Sequence, residues 1–298
     1  MGVRAAVEKA SRTLSLSSGK VVYCLHELVH NEQVVADLKA RGLRFVESLD
    51  EVPDGATVLF SAHGVAPAVR DEAQRRELAV VDATCPFVAR AHRAVREFAA
   101  RGVPVVVVGR PEHAEVRGVM GECADARVVS TPDDVAALPF PEGPVGVVCQ
   151  TTLSHDAVCA VLDALRARYP RLETPAAANV CTATRDRQRA VAGFVRGGGD
   201  GVLVLGSAGS SNTNRLVEVA RAVGASFAAR AGTLEEVRAL DFAGVQRLGV
   251  TAGASTPEDF LERVIADFDI LGPRRTGRHE KHRNRNVHGT CGVCAFRR

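Results

Sequence analysis

Short apolar runs that recur along the chain constrain its fold more than any other feature. Most of them end in Gly, Ser, Thr, His or Cys, and they lie at Val21–Tyr23, Thr57–Phe60, Val80–Val81, Val103–Val108, Val145–Val148, Val202–Leu205 and Leu248–Val250. Stretches with helical spacing separate them, such as the one that contains Val34, Leu38 and Leu43. Continuous apolar runs are typical of buried parallel strands, and strand–helix alternation predicts βαβ units. The sequence therefore predicts an α/β fold built from parallel sheets.

A weak internal repeat divides the chain further. The segments Asp82–Phe98 and Ala178–Phe194 each place a cysteine, Cys85 or Cys181, at the end of an extended run and directly before a predicted helix. Residues 1–14 form a third helix pattern of the same type. Copies at intervals of about 90 residues predict three similar α/β domains in a pseudo-threefold arrangement around a common centre. The predicted domains are 1–84, 85–177 and 178–272, followed by a basic tail, 273–298.

The first copy of the repeat lacks its strand and its cysteine. A βα unit normally opens with a strand, yet the helix pattern starts within a residue or two of Met1. Either the first strand is lost or the true start codon lies upstream. We expect the second, because it is the simpler account.

Charge and cysteine content limit the possible partners and compartments. The net charge is +3, but the basic excess is concentrated in the tail, so the body has no basic stripe for nucleic acid. No apolar stretch reaches the length of a membrane span. Eight cysteines argue for reduced thiols, which suit metal ligation or simple burial, rather than for a disulfide framework. We therefore expect a cytoplasmic protein that binds neither nucleic acid nor a membrane.

Polar loops follow several of the apolar runs and indicate an anion site. Small hydroxyl and amide side chains with glycines at helix starts suit phosphate groups, although ordinary helix caps use the same residues. Histidines after strand ends favour the ligand interpretation, because caps need none. Together these loops favour a small anionic ligand, a phosphate ester or diphosphate. The side chains that they offer are His26, His30, His63, His113, Glu115, Thr151, Thr152, Ser210, Ser211, Asn212, Asn214, Ser255 and Thr256. Dinucleotide and P-loop motifs are absent from the sequence.

Metal binding has several candidate groups. His26–His30 formally matches H-E-x-x-H, a zinc motif when it lies on a helix, but no third ligand is in view. Cys85 and Cys181 occupy equivalent repeat positions and would converge, and two thiolates anchor an iron–sulfur cluster only with further ligands. Cys291 and Cys294 form a CxxC in the tail, which could bind zinc or a cluster or be disordered. The other cysteines are interpreted as packing residues.

Seven segments together resemble one known family. They occur in the family's order and spacing, cover about residues 2 to 272, and read HELVHNEQVV, VPDGATVLFSAHGV, VVDATCPFVARAH, HAEVRGVMG, QTTLS, GSAGSSNTNRL and GVTAGAS. They resemble the IspH/LytB family of iron–sulfur reductases. The resemblance implies three α/β domains around a central [4Fe–4S] cluster. It also implies reduction of hydroxymethylbutenyl diphosphate to isopentenyl and dimethylallyl diphosphates, the last step of the methylerythritol phosphate route to isoprenoids.

The same resemblance implies roles for individual residues. Cys85 and Cys181 would be cluster ligands, and the family's first ligand lies in a Gly-Phe-Cys segment that would directly precede Met1. Glu115 would deliver protons, Thr151 would order the proton path, and His113 would act at the hydroxyl. The substrate-binding set would be His30, His63, His113, Thr152, Ser210, Ser211, Asn212 and Ser255. A ferredoxin or flavodoxin would donate electrons. The alternative is a decayed paralogue or a non-redox diphosphate-binding protein without a cluster.

Overall fold

The structure, a computed structural model, describes residues 2–175, 182–271 and 293–297. Its helices are α1 (Gly2–Leu16), α2 (Glu32–Ala40), α3 (Pro67–Arg75), α4 (Pro86–Ala100), α5 (Ala114–Met120), α6 (His155–Arg168), α7 (Thr182–Arg196), α8 (Ser211–Ala222), α9 (Leu234–Arg238) and α10 (Glu258–Leu271). Its strands are β1 (Val22–Leu25), β2 (Leu43–Val46), β3 (Thr57–Phe60), β4 (Ala79–Asp82), β5 (Val105–Val108), β6 (Arg127–Val129), β7 (Pro144–Cys149), β8 (Arg171–Glu173), β9 (Gly201–Leu205), β10 (Phe227–Ala231), β11 (Arg247–Ala252) and β12 (Cys294–Arg297). Short 3₁₀ turns lie at Leu49–Glu51 and Pro132–Ala137.

The strands form three four-stranded sheets with one shared topology. Their orders are β2-β1-β3-β4, β6-β5-β7-β8 and β10-β9-β11-β12. In each sheet the second strand in chain order pairs with one side of the first strand. The third strand pairs with the other side of the first, and the fourth strand pairs with the third. The first two sheets are wholly parallel, and in the third only β12 runs antiparallel, on β11. The predicted α/β fold with parallel sheets is confirmed.

Apolar side chains on both faces explain why these strands lie in sheet centres. In β5, Val105 and Val107 pack on one side with α4 and α5, whereas Val106 and Val108 pack on the other side with α6. The same alternation runs through β9, which divides its side chains between two further clusters. A parallel sheet needs cover on both faces, and valine runs supply it.

The chain divides into two compact units, residues 1–181 and 182–298. The first unit contains the first two sheets, and the second contains the third sheet. The four-part domain division and the arrangement around a common centre stay predictions. Among the helices that the structure describes, none combines the length and the hydropathy that a bilayer crossing requires.

Two local predictions need correction. Leu43 was grouped with Val34 and Leu38 in one helical stretch, but α2 ends at Ala40 and Leu43 opens β2. A break at Gly42, whose φ is +96°, separates the two elements. In the tail, Cys294 belongs to β12 and pairs with Val250 of β11, so its end is an edge strand rather than a disordered segment. Cys291 lies outside the described residues.

The core of the second sheet provides a stability test. Leu165 on α6 is fully buried, so Leu165→Ala should lower the free energy of unfolding by about 2–5 kcal/mol, because it removes apolar contacts and leaves a cavity. Leu16 is 70% exposed, and the matched Leu16→Ala change should cost less than about 0.5 kcal/mol. Urea denaturation followed by circular dichroism measures both. Equal losses in the two variants would contradict this packing.

Candidate functional site

The polar residues of the first unit follow the central strands of its two sheets. His30 comes after β1 and His63 after β3, and these strands are neighbours in the first sheet. His113 comes after β5 and Thr151 after β7, which are neighbours in the second sheet. In such sheets the chain leaves neighbouring strands in opposite directions, so a crevice opens at their carboxyl ends. The shared topology therefore brings these side chains to the place where ligands bind in open α/β sheets.

The rings of His30, His63 and His113 meet in one cluster. The centroids of His30 and His63 lie 4.2 Å apart in a stacked arrangement, and His113 lies edge-on at 5.4 Å from His30 and 5.7 Å from His63. Burial, followed by the neighbouring imidazoles, holds the pKa of His63 well below its usual value. Burial, then His30, lowers the pKa of His113 to about 4. His63 and His113 are therefore neutral near pH 7.

His113 has a fixed tautomer because it caps α5. Its Nδ1 accepts a hydrogen bond from the Glu115 backbone N–H at 3.2 Å, so the neutral ring carries its proton on Nε2. That Nε2 is buried and has no hydrogen-bond partner among the residues described. A buried donor without a partner is costly. His113 is therefore arranged to donate to a ligand.

Glu115 and Thr151 form a buried hydrogen-bonded pair. The Thr151 backbone N–H donates to Glu115 Oε1 at 2.7 Å, and the Thr151 hydroxyl donates to Oε2 at 3.0 Å. Glu115 is 2% exposed. Burial raises the pKa of Glu115 to about 7, although both bonds from Thr151 act in the opposite direction. This carboxyl can hold and release a proton near neutral pH.

Gln150 is a site residue that the sequence analysis missed. Its Oε1 accepts from the Arg110 backbone N–H at 3.0 Å, and its Nε2 donates to the Thr152 hydroxyl at 2.8 Å. Gln150 thereby ties the loop before His113 to the loop after β7 and orients Thr152. Its place in the sequence, directly after a buried strand and before two threonines, could have identified it as a site residue.

The zinc interpretation of His26–His30 is wrong. This segment is a series of bends after β1 and not a helix, and His26 has a φ of +58°. His26 Nδ1 lies 3.0 Å from the exposed carboxylate of Glu47, whereas His30 joins the histidine cluster. The i, i+4 spacing places two histidines on one face only where the backbone is helical.

Cys85 lies at the start of α4, directly after the first sheet. Its backbone N–H donates to Ala62 O at 3.0 Å, and the first residue of α1, Gly2, packs so closely that a Cβ there would collide with the Cys85 sulfur. A half-buried thiol in this position suits one ligand of an iron–sulfur cluster. Cys181 lies outside the described residues. Within the described ranges, no group of three His, Cys, Asp or Glu side chains could hold a metal ion, so a full ligand set is not present there.

The second unit has its own polar loop after β9. The Ser210 hydroxyl caps α8 by accepting from the Thr213 backbone N–H at 3.3 Å. Asn212 is 3% exposed, and neither atom of its amide finds a hydrogen-bond partner in the described part of the chain. Ser211 is the first residue of α8, and Ser255 lies half-buried after β11. Unsatisfied buried amides beside a helix start indicate a polar ligand.

Thr213 is a second residue that the sequence analysis passed over. It is fully buried, and no partner for its hydroxyl is present among residues with described positions. A Cβ at Gly206 would lie 2.5 Å from the Thr213 hydroxyl oxygen, and one at Gly253 would also collide with it. Both glycines follow central strands of the third sheet. Thr213 therefore fixes the spacing of the two loops that carry Ser210 and Ser255.

Comparison with known proteins identifies close relatives. The profile of the family described as "LytB protein" matches residues 1–269. A 4-hydroxy-3-methylbut-2-enyl diphosphate reductase from Mycobacterium bovis is 47% identical over 270 residues, which are 89% of this chain and 81% of the relative. One from Burkholderia mallei is 44% identical over 273 residues, covering 91% and 83% of the two chains.

Solved structures agree with the sequence matches. The structure of the E-1-hydroxy-2-methyl-but-2-enyl-4-diphosphate reductase from Plasmodium falciparum superposes with a TM-score of 0.87 at 31% identity, over 94% of this chain and 89% of the other. A second reductase structure, described as the terminal enzyme of the non-mevalonate pathway, gives a TM-score of 0.66 at 32% identity, over 91% and 95%.

The buried Glu115 carboxyl predicts a pH-dependent stability difference. Its pKa is about 7 in the fold and near 4.5 in the unfolded chain, so the native state holds the extra proton between these values. Stability then rises as pH falls from about 7 towards 4.5. Glu115→Gln removes this dependence. The free energy of unfolding of the variant, minus that of wild type, should therefore be about 2–3 kcal/mol larger at pH 8 than at pH 5.

Urea unfolding of wild type and variant at both pH values measures the effect. Glu142→Gln, at an exposed loop position, is the matched control and should show a difference that does not change with pH. A Glu115→Gln difference equal at pH 5 and pH 8 would mean that Glu115 is ionised in the fold at both values.

Proposed function

This chain belongs to the LytB family, and on that basis we propose that it reduces 4-hydroxy-3-methylbut-2-enyl diphosphate to isopentenyl and dimethylallyl diphosphates. The reaction replaces the allylic C–O bond by a C–H bond, consumes two electrons and two protons, and releases water. The single observation that carries the proposal within this chain is the buried Glu115–Thr151 pair beside the histidine cluster. It supplies a proton donor where a hydroxyl leaving group needs one.

Glu115 is the proton donor in this proposal. With a pKa of about 7, a large fraction of Glu115 is protonated near neutral pH, and Thr151 holds its carboxyl in one orientation. Protonation turns the departing hydroxyl into water, which is a far better leaving group than hydroxide. After transfer, the carboxylate keeps both hydrogen bonds from Thr151, which favour its charged form.

The three histidines bind the substrate in this proposal, and His63 and His113 do so as neutral rings. His113 offers its buried Nε2–H, and we assign contacts with the diphosphate and the hydroxyl to His30, His63 and His113. Neutral rings keep His63 and His113 from forming a salt bridge with Glu115. Thr152, oriented by Gln150, is assigned to the same substrate-binding set.

In the second unit we assign diphosphate binding to Ser210, Ser211, Asn212 and Ser255. Support comes from the buried, unsatisfied Asn212 amide next to the start of α8, where backbone N–H groups and the helix dipole favour anions.

Delivery of electrons to the substrate requires a redox cofactor, and the Cys85 thiol has the chemistry and the position of a cofactor ligand. We assign Cys85 and Cys181 as ligands of a [4Fe–4S] cluster, which would accept electrons singly and deliver them to the substrate. A ferredoxin or flavodoxin is the proposed electron donor. We also propose a cytoplasmic location, because a chain with eight cysteines is best kept reduced there.

Glu115→Gln tests the proton donor. The amide keeps the size and the hydrogen bond from Thr151 but has no transferable proton, so turnover should fall about 100-fold or more, with little change in substrate binding. Turnover by the reconstituted protein under anaerobic conditions, with a chemical reductant, is the measurement. Glu142→Gln should behave as wild type. Near-normal turnover in Glu115→Gln would move the role elsewhere, most simply to a water held by Thr151.

Cys85→Ser tests the redox assignment. Loss of one thiolate should lower the iron retained per chain several-fold after anaerobic reconstitution, and should weaken the visible charge-transfer absorption. Cys123→Ser is the control, because Cys123 packs at the edge of an apolar cluster that does not include Cys85. Equal iron retention and equal absorption in Cys85→Ser and in wild type would overturn the assignment of Cys85 as a cluster ligand.

A further inference from the structure

His92 is a buried polar residue that the proposed mechanism does not use. It lies on α4, two turns after Cys85, and is 4% exposed. Its Nδ1 lies 2.7 Å from Glu122 Oε1, and the Glu122 side chain is 1% exposed. Arg96, one turn further along α4, contacts the same carboxylate oxygen at 2.7 Å. A buried ion pair with one partly exposed member costs desolvation energy, so its position calls for a reason.

The charges around His92 fix its protonation and tautomer. Glu122 accepts from the ring and from Arg96, and Arg70 of α3 also acts on the ring electrostatically. Burial lowers the pKa of His92, although Glu122 opposes this shift. The ring is therefore neutral, with its proton on Nδ1 and donated to Glu122. Its Nε2 is buried and makes no hydrogen bond to any residue that the structure describes.

The Nε2 side of the ring packs against the turn that carries His63. A Cβ at Gly64 would lie 2.6 Å from His92 Nε2, so the ring fills the space where a side chain would stand. Gly64 has a φ of +75°, a conformation that glycine adopts without strain. The His92 ring is therefore in direct contact with the turn that carries His63.

The same ring packs against the helix that carries Glu115. A Cβ at Gly118 of α5 would lie 3.4 Å from His92 Cε1 and 3.3 Å from Gly64 O. Glu122, which holds the ring, follows directly after the end of α5. The His92 ring thus lies between the His63 turn and α5, and its Nδ1 is hydrogen-bonded to Glu122, just after α5.

We propose that His92, held by Glu122, is a positioning residue that fixes the His63–Gly64 turn against α5 and so sets the geometry of His63, His113 and Glu115. This inference rests on the proposed function for its effect on turnover. The positioning itself does not depend on that function, because it concerns the environment of the histidine cluster in the protein without substrate.

His92→Asn separates the two contacts of the ring. The asparagine amide can take the place of Nδ1–H and still donate to Glu122, but it leaves the space against Gly64 empty. The His63 turn should then loosen and admit water, so the pKa values of His63 and His113 should rise by about one unit. Turnover should fall about 10- to 100-fold, because the proton donor and the binding rings lose their alignment.

NMR titration of histidine-labelled full-length chain, without substrate, measures the pKa values. Glu122→Gln is the conservative variant: it still accepts from Nδ1–H and should leave both titrations within about 0.3 units of wild type, a shift too small to indicate loosening. Glu97→Gln, at an exposed position on α4, is the surface control. Unchanged titrations and turnover in His92→Asn would make His92 an ordinary core residue and overturn the proposal.

Gly118→Ala covers the case in which His92→Asn folds poorly. Gly118 lies inside α5 and has no left-handed backbone, and its added methyl group would lie 3.3 Å from the Gly64 carbonyl oxygen and 3.4 Å from His92 Cε1. It should therefore disturb the contact of the His63 turn and the His92 ring with α5 and shift the titrations of His63 and His113. Titrations that match wild type in Gly118→Ala would show that this contact does not set the environment of the two rings, and would overturn the proposal. Because the titrations need no turnover, an inactive wild-type chain would count against the proposed function alone.

Discussion

The strand order shared by the three sheets is the constraint that sets the positions of the proposed site residues within each of the two units. In each sheet the first and third strands are neighbours, and the chain leaves their carboxyl ends in opposite directions. His30 and His63 follow such a pair in the first sheet, His113 and Thr151 follow the pair in the second, and Ser210 and Ser255 follow the pair in the third. The apolar side chains of these strands are buried in the cores of the sheets, and this packing holds the backbone at the strand ends where the polar side chains follow.

Burial at these strand ends shifts acids and bases in opposite directions. It raises the pKa of Glu115 to about 7 and lowers those of His63 and His113, because low polarity disfavours every charged form. The result is a carboxyl that can be neutral beside imidazoles that are also neutral. An anionic ligand then meets the neutral rings of His63 and His113 and a Glu115 carboxyl that is largely protonated below pH 7. The same burial destabilises the fold at alkaline pH, which is the usual cost of a site built for chemistry.

Repeated apolar runs in the sequence predicted the central strands, and polar residues at the ends of these runs predicted site residues. Central strands such as β5 and β9 were predicted because their residues are apolar on both faces. The edge strands β6 and β8 were not, because three-residue segments such as Arg127–Val129 and Arg171–Glu173 carry charges and resemble loops. Site residues at strand ends were predicted, and the structure gathers three of the histidines. Gln150, Thr213 and His92 were missed, because in sequence a buried polar residue looks like a surface one.

Helix α4 connects Cys85 to the surroundings of Glu115 within the first unit. Its N-cap residue is Cys85, just beyond the last strand of the first sheet, yet the helix packs on the second sheet through Val95 and Phe98. Phe98 stands directly over Gly146 of β7, where any larger residue would collide with its ring. Ala91 of the same helix lines the small cavity beside Glu115. A shift of α4 would therefore displace the thiol proposed for electron transfer and the wall beside the proposed proton donor together.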